Sequence, residues 1–379
     1  MRITVAPMIF KHRASFGKGY RQVFKNFNHL KRLLSIITIA MPQESAPLGD
    51  APKSKILLIS SSRLGGPFPQ RPDHLLRALK KLGYSTLACD GYNPILGIIH
   101  ALKNRGVDNK VFSGFRAGLA GLFLGFFGLE WIYDFVEVKS KLCRDNWTGI
   151  KRRVVPLIDG LERLMIKRAK IVFAAGESAY QHAKSLRPDA ILVPNGYDES
   201  IFDPNKYNRE ELRRKYGVDF PLAVYIGKLI PMYAKFLIPV IDAIALLNRE
   251  YPNAEFWVYG DGLSRSELER KAKEKKCNVK FKGYIDHEKV PEIVTIADVG
   301  IHAYDTESLK LIEWLSMGLP TVVPLPLHVD GAVSCPWDPN SIALTISKLL
   351  KNQVRRPVRM PTWDEVASIL VKHLNSSLD

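Results

Sequence analysis

The stretch from Val299 to Pro324 (VGIHAYDTESLKLIEWLSMGLPTVVP) constrains the fold most, because its pattern predicts a strand, a loop, a helix and a second strand. Its first six residues form a largely apolar run with a β-branched start, which is typical of a buried strand. Asp305 and Thr306 are suited to cap the helix, whose apolar residues lie within one half of the helical wheel. Gly318 then ends the helix, with a proline just beyond. The stretch therefore predicts an α/β fold.

Two charged residues, Lys310 and Glu313, lie early in this predicted helix and point away from its apolar half. One interpretation is a solvated ion pair, although a lysine N-terminal to a glutamate opposes the helix dipole and gains little. The other is a ligand site, because ligands of open α/β sheets gather at the carboxyl ends of strands. In that case the cation binds phosphate and the carboxylate binds a ribose diol. Periodicity alone leaves both interpretations open.

The same stretch resembles the donor-site signature of the GT-B glycosyltransferases, in particular the large family-four-like group called group 1. In that group an acidic residue precedes a second glutamate by eight positions, and the helix ends in Gly-x-Pro. The pair here is Asp305 and Glu313, so Asp replaces the usual first Glu. The resemblance implies that Asp305 contacts the donor sugar and Glu313 the ribose. It also implies that Lys310 and the helix N-terminus, with Ser308 and Leu309, hold the diphosphate.

Further motifs resemble the same family. Residues 193–198, followed by 202–204, match its hinge signature Val-Pro-Asn-Gly-Val-Asp … Phe-x-Pro. Gly227 and Lys228 stand where the family has Gly-Arg, which implies that Lys228 stabilises the departing diphosphate and that Lys235 is the second cation. The Gly-x-Gly turn and the loop that holds the base supply the remaining implied substrate contacts, Gly260, Gly262, Tyr284 and Ile285.

The first half of the chain carries its own candidate residues. A buried strand at 56–60 precedes a loop with Gly65 and Gly66, which allow the backbone to approach a ligand closely, although such a pair is more often only a turn. This start is similar to the acceptor domain of the family. The segment 129–135 predicts a strand with Asp134 at its carboxyl end. The resemblance implies that Asp134 faces the cleft as a catalytic base, and the alternative is that it caps the next helix.

Net charge predicts an anionic partner, because Lys and Arg exceed Asp and Glu by 55 − 38 = 17. Nucleic acid, an anionic membrane surface and phosphorylated substrates are the three candidates. The chain shows no interleaved aromatic and basic motif of a known nucleic-acid module, so we expect no nucleic acid. The four cysteines are scattered, which argues against a structural zinc site or disulfides and predicts a reducing, cytoplasmic compartment. No apolar run approaches the roughly 18 residues of a spanning helix.

Two segments suggest contact with a membrane. Apolar residues repeat at helical spacing over 20–37 with cations opposite, and residues 1–41 carry eight cations and no acid. The alternatives are an ordinary packed helix, or an upstream extension with Met41 as another start. Residues 112–128 are apolar with five glycines. They predict either a helix buried through its glycines, which we favour, or a dip into the interface where a lipid-linked acceptor is met.

Together these features predict an α/β protein of GT-B architecture, with two Rossmann-like domains facing a cleft. We expect a basic extension and linker at 1–52, an acceptor domain at 53–198, a donor domain at 199–360 and a crossing helix at 361–379. The resemblance implies sugar transfer from a UDP- or GDP-sugar to a glycan or lipid-linked acceptor, with no cofactor or metal. From the basic N-terminal segment we further expect a cytoplasmic protein held peripherally at the inner face of the cell membrane. The rivals are a nucleotide-sugar 2-epimerase of the same fold and a non-enzymatic basic protein that binds membrane or nucleic acid.

Overall fold

Short runs of buried aliphatic and β-branched residues form two parallel six-stranded sheets in the computed structural model. The structure describes residues 53–62, 64, 70–91, 93–352 and 354–375. The predicted amphipathic helix over 20–37 and the glycine pair Gly65 and Gly66 lie outside the described residues.

The first sheet has the strand order β2-β1-β3-β4-β5-β6. Its strands are β1 (Lys53–Ser60), β2 (Tyr84–Asp90), β3 (Asn109–Ser113), β4 (Ile132–Phe135), β5 (Ile171–Ala174) and β6 (Ile191–Leu192). The second sheet has the order β12-β11-β10-β7-β8-β9. Its strands are β7 (Leu222–Ile226), β8 (Glu255–Tyr259), β9 (Val279–Gly283), β10 (Val299–Ile301), β11 (Thr321–Pro324) and β12 (Ala332–Cys335).

Helices cover both faces of each sheet, which is the layering of doubly wound domains. The helices of the first half are α1 (Arg71–Lys81), α2 (Pro94–Lys103), α3 (Phe115–Gly125), α4 (Lys139–Asn146), α5 (Val155–Arg168) and α6 (Glu177–Leu186). Those of the second half are α7 (Arg209–Tyr216), α8 (Pro231–Glu250), α9 (Arg265–Lys275), α10 (Val290–Ile296), α11 (Leu309–Ser316), α12 (Pro339–Asn352) and α13 (Trp363–Asn375).

The alternation of side chains along β1 shows how the first sheet is sandwiched. Ile56 and Leu58 pack with α1 and α13 on one face, whereas Leu57 and Ile59 pack with α2, α3, α5 and α6 on the other. The terminal helix α13 therefore completes the domain of the first sheet, although it follows the second sheet in sequence. Its Trp363 stacks on His74 of α1, with 4.8 Å between the ring centroids.

The glycine-rich segment 112–128 is a buried helix, so the interpretation we favoured is confirmed. It begins in β3 and continues as α3, whose glycines face aromatic side chains of the sheet. A Cβ atom at Gly121 would lie 2.3 Å from the Trp131 ring, and one at Gly118 would lie 2.6 Å from Tyr133. The glycines are therefore required for the close approach of helix and sheet.

One described helix, α8, is long and apolar enough to cross a membrane by length and composition. Its residues Leu237, Ile241 and Ile244 are buried in the core of the second sheet, together with residues of α9 and α12. Packing on the sheet therefore accounts for the apolar composition of α8.

Candidate functional site

Lys310 lies at the carboxyl edge of the second sheet, in the first turn of α11, as predicted. Its Nζ donates a hydrogen bond to the carbonyl oxygen of Ile226, 3.0 Å away at the end of β7, and lies 4.3 Å from the centroid of the Tyr225 ring. Burial lowers the pKa of Lys310 to about 7. The side chain is therefore positioned by two groups of β7 and has no carboxylate partner among the described residues, so an anion that reached it would favour its charged form.

The three predicted glycines of this edge lie close together. A Cβ atom at Gly227 would lie 2.9 Å from Lys310 Nζ, and one at Gly260, where φ is +125°, would lie 1.9 Å from the carbonyl oxygen of Gly227. Gly262, with φ +153°, is pressed in the same way against the backbone of Leu229. The loops after β7 and β8 can touch only because these positions lack side chains, which leaves the sheet edge beside Lys310 formed by backbone.

The two other predicted cations differ in their surroundings. Lys228 lies two positions after the end of β7, is exposed, and has no side-chain partner among the described residues. Lys235 lies one turn into α8, where its Nζ is 3.3 Å from Asp145 Oδ1 on α4 of the first domain. Lys228 is therefore the cation available to an incoming anion, whereas Lys235 is engaged in a contact across the cleft.

Glu313 is buried, with 4% of its surface exposed, and its Oε1 lies 3.1 Å from His287 Nε2. The interpretation of a solvated pair between Lys310 and Glu313 is therefore wrong, because the two side chains have different partners. Burial alone lowers the pKa of His287, but the hydrogen bond and charge of Glu313 outweigh it and raise the pKa above its usual value. His287 was not predicted as a site residue, although it lies just after the loop of Tyr284 and Ile285.

The loop after β9, which is predicted to hold the base, places its two predicted residues differently. Tyr284 follows β9 with 57% of its surface exposed, whereas Ile285 is buried among the residues beneath it. The loop leads into a 3₁₀ turn that begins at His287. Tyr284 is thus accessible from solvent at the sheet edge, and Ile285 anchors the loop.

The loop between β10 and α11 corrects the predicted start of the helix. β10 ends at Ile301 and α11 begins at Leu309, so Ser308 is the N-cap and the expected caps Asp305 and Thr306 lie in the loop. The loop keeps this form because the buried His302 donates a hydrogen bond from Nε2 to the carbonyl oxygen of Thr306, 2.8 Å away. Asp305 is thereby directed toward the first domain.

Residues of this loop contact the first domain across the cleft. Asp305 Oδ1 accepts a hydrogen bond from Lys141 Nζ of α4 at 3.0 Å. Glu307 Oε2 accepts the backbone N–H of Glu177, 3.2 Å away at the N-terminus of α6. Burial raises the pKa of Glu307. The cleft is therefore bridged on the side where the donor sugar is expected.

Helix α4 carries most of the first domain's side of this bridge. Besides Lys141, it presents Asp145 to Lys235, and Asn146 accepts a hydrogen bond from the backbone N–H of Met232 at 3.3 Å. The buried Glu162 of α5 fixes its start by accepting hydrogen bonds from the Lys139 N–H (2.6 Å) and the Ser140 hydroxyl (3.1 Å). Burial raises the pKa of Glu162 to about 7.

Asp134, predicted as a catalytic base, is enclosed in the first domain. None of its surface is exposed, its Oδ1 is 3.1 Å from Arg71 Nε, and its Oδ2 accepts the Ser113 hydroxyl at 2.7 Å. Arg71 also donates to the carbonyl oxygens of Val193 and Pro194, both at 2.8 Å. A base must reach the proton it removes, so this position contradicts the catalytic role. Asp134 caps none of the described helices either, and it holds Arg71 against residues 193–194.

The described residues contain no group of His, Cys, Asp and Glu side chains suited to hold a metal ion. The positive charge at the edge of the second sheet is instead supplied by the side chains of Lys228 and Lys310 and by the N-termini of helices α8 and α11.

Two parallel six-stranded sheets, with the last helix returning to the first domain and cationic residues at the edge of the second sheet, define the GT-B class. The fold matches sucrose-phosphate synthase from Thermosynechococcus elongatus with a TM-score of 0.67 at 15% identity, over 86% of this chain and 99% of that one. It also matches Anabaena HepE in complex with UDP and glucose, with a TM-score of 0.61 at 15% identity and the same coverage. The predicted GT-B architecture is confirmed.

Residues 221–352 match the family model described as Glycosyl transferases group 1, so the resemblance is confirmed over this part of the chain. Among curated proteins, the α-D-kanosaminyltransferase of Streptomyces kanamyceticus is 29% identical over 202 residues, which are 49% of this chain and 51% of that protein. The chain spans about half the length, or less, of the curated relatives it matches.

Proposed function

We propose that the protein is a glycosyltransferase that moves a sugar from a nucleotide diphosphate sugar to an acceptor bound by the first domain. The observation that carries this proposal is the juxtaposition of Lys310, Gly227 and the exposed cation Lys228 at the carboxyl edge of the second sheet. Backbone without side chains lies beside two ammonium groups there, which suits a diphosphate. The group 1 match over 221–352 covers the same elements.

The proposed chemistry is electrostatic stabilisation of the departing diphosphate. As the bond between the sugar and the diphosphate breaks, negative charge grows on the diphosphate oxygens. Lys228 and Lys310 with the α11 N-terminus supply positive charge at that point. Because these groups balance the leaving-group charge, the proposed reaction requires no metal ion and no cofactor.

The recognition of the donor is assigned to the two acidic residues of the signature. Glu313, fixed by His287, accepts hydrogen bonds from the ribose hydroxyls. Asp305 contacts the sugar after Asp305 has lost its hydrogen bond with Lys141. Ser308 and Leu309 offer the N–H groups of the helix start, and the loop at Tyr284 and Ile285 receives the base. The HepE complex with UDP and glucose supports a nucleotide sugar as donor, here a UDP- or GDP-sugar.

The acceptor is proposed to be a glycan or a lipid-linked molecule. The protein is proposed to be a cytoplasmic enzyme that is held peripherally at an anionic membrane, where it meets this acceptor. The formal charge of +17 supports an anionic surface as a partner. The cationic N-terminal segment and the Gly65 and Gly66 loop of the acceptor domain are part of this proposal.

A 2-epimerase of the same fold is the second candidate, and it would need no acceptor. The group 1 match and a curated relative named as a transferase favour transfer. The two reactions leave different products. Without an acceptor, a transferase slowly releases nucleoside diphosphate and free sugar. An epimerase instead returns a nucleotide sugar in which the configuration at C2 of the sugar is inverted.

The first test is a thermal-shift screen of the full chain against UDP, GDP, ADP and their sugars. A ligand at about 100 times its Kd should stabilise the protein by about 2.7 kcal/mol, which is readily seen as a raised Tm. Product analysis with the stabilising donor then separates transfer from epimerisation. The proposal fails if no nucleotide raises the Tm, or if an epimerised donor is the only product.

A further inference from the structure

The segment 148–157 forms an unusually exposed surface on the first domain. Nine of its ten residues are exposed, all but Val155. Three of them are large apolar side chains, Ile150 at 77%, Leu157 at 63% and Val154 at 44% exposure. Large apolar residues are exposed singly on ordinary surfaces, so three within eight positions call for an occupant.

Cations are interleaved with these apolar residues. Lys151, Arg152 and Arg153 are all exposed and have no hydrogen-bond or ion partner among the described residues. No acidic residue occurs from 147 to 158, and the next one, Asp159, accepts a hydrogen bond from Arg163 at 2.7 Å. The segment therefore offers three unneutralised positive charges beside an apolar surface.

The position of the segment connects it to the cleft. It begins two residues after Asn146, whose side chain accepts a hydrogen bond from Met232 of the second domain. Its 3₁₀ turn, Gly149–Val154, leads directly into α5, the helix whose Glu162 holds the start of α4. A surface bound to this segment would thus lie at the mouth of the cleft, next to the helix that contacts the donor domain.

We infer that residues 148–157 dock the protein onto an anionic membrane, with the three cations among lipid headgroups and Ile150, Val154 and Leu157 inserted between them. The combination of unneutralised cations and exposed aliphatic side chains fits this partner, because headgroup phosphates attract the first and the acyl boundary accepts the second. A nucleic acid would use the cations alone. The inference rests on the proposed function, because it supplies the reason for a membrane surface at the cleft mouth.

The test is sedimentation of the full chain with vesicles of phosphatidylcholine alone or mixed with phosphatidylglycerol, at low and high salt. The variant K151Q/R152Q/R153Q should bind anionic vesicles about 100-fold more weakly than the wild type, on the basis of roughly a fivefold factor for each cation. The control K273Q/K276Q/K280Q removes the same charge from exposed lysines of the second domain. It should bind nearly as well as the wild type.

A second variant, I150S/L157S, tests insertion. It should weaken vesicle binding about tenfold or more, and the loss should persist at high salt, because salt screens charges and leaves the hydrophobic contribution. The control L344S alters an equally accessible leucine, 57% exposed on α12, and should have no effect. All the changed residues are exposed, so we expect the four variants to fold normally. Their circular dichroism spectra should match that of the wild type.

The inference is overturned if the wild type shows no preference for anionic vesicles. It is equally overturned if the control K273Q/K276Q/K280Q binds vesicles as weakly as K151Q/R152Q/R153Q. A third contradicting result is that K151Q/R152Q/R153Q loses binding to labelled single-stranded DNA while its binding to vesicles is unchanged. Nucleotide-induced stabilisation, measured without vesicles, should be the same in every variant. If the wild type binds vesicles through the patch but no nucleotide stabilises it, the proposed function fails and the docking surface stands.

Discussion

Lys141 of the first domain and Asp305 of the second meet across the cleft, with 3.0 Å between Nζ and Oδ1. The carboxylate proposed to bind the donor sugar is thereby paired with a cation of the first domain. Donor binding would require Asp305 to exchange this partner for sugar hydroxyls. In the proposed mechanism, donor binding is therefore linked to the loss of this contact between the two domains.

The first prediction is that K141Q increases donor affinity by up to about fivefold. Both side chains of the pair are partly exposed, and breaking such a pair costs about 0.2–1 kcal/mol. The wild type loses this free energy when the donor binds, whereas K141Q has no pair to break. Isothermal calorimetry with the stabilising nucleotide sugar measures the change. The control K139Q removes a lysine of the same helix that pairs with Glu137 within the first domain, and should not alter affinity. A weaker affinity in K141Q would show that Lys141 contacts the donor.

The second prediction concerns Glu313. E313Q should weaken nucleotide-sugar binding by about 1.5–3 kcal/mol, the typical contribution of a hydrogen bond to a charged group, without unfolding the protein. The measurement is again calorimetry, with E292Q as the control, because Glu292 pairs with Lys215 on the surface of the second domain. Unchanged affinity in both E313Q and K310M would refute the assignment of the donor site.

The third prediction is a pH dependence from His287. Its folded pKa is raised above the unfolded value, so its contribution to stability is fully present below about 6.5 and is lost as pH rises through the folded pKa. H287N should remove this decrease, which urea unfolding at several pH values would detect. The same variant should raise the Kd for the donor, because Glu313 loses the group that orients it. If the stability profile of H287N matches the wild type, the pair makes no contribution.

The fourth prediction is that K228A lowers turnover more than donor affinity. Lys228 is exposed and unpaired among the described residues, so its charge matters most as the diphosphate leaves. We expect kcat to fall about 10-fold to 100-fold. K273A, an exposed lysine of α9, is the control. A raised KM with kcat intact would assign Lys228 to ground-state binding.

The fifth prediction is that K310M binds the donor poorly but is more stable than the wild type at about pH 6. The Lys310 pKa of about 7 lies below that of the unfolded chain, so the unfolded state binds more protons from pH 7 up to about 10.5 and wild-type stability rises over that range. The advantage of K310M, on the order of 1 kcal/mol, should therefore shrink as pH rises. K348M, at an exposed lysine of α12, should show no such trend.

Much of the fold follows from the sequence, because local periodicity and turn residues report directly on buried elements. The β10 to β11 unit, the glycine-packed α3 and the Gly-x-Gly turn at Gly260 were all predictable, since each depends on residues near one another in the chain. The bounds of the helix at Leu309 were not. They depend on His302, whose hydrogen bond holds Thr306 in the loop, and a capping rule does not include that contact.

The sequence by itself determined the class of fold and which strand ends carry the candidate donor residues, because spacing fixes which side chains fall at a strand's carboxyl end. Only the tertiary structure decided their partners. Asp134 pairs with Arg71, 63 positions away, Glu313 with His287, 26 positions away, and Asp305 with Lys141, 164 positions away. A charge becomes a ligand, a base or a structural pair through the groups that surround it, and those groups come together only when distant segments pack.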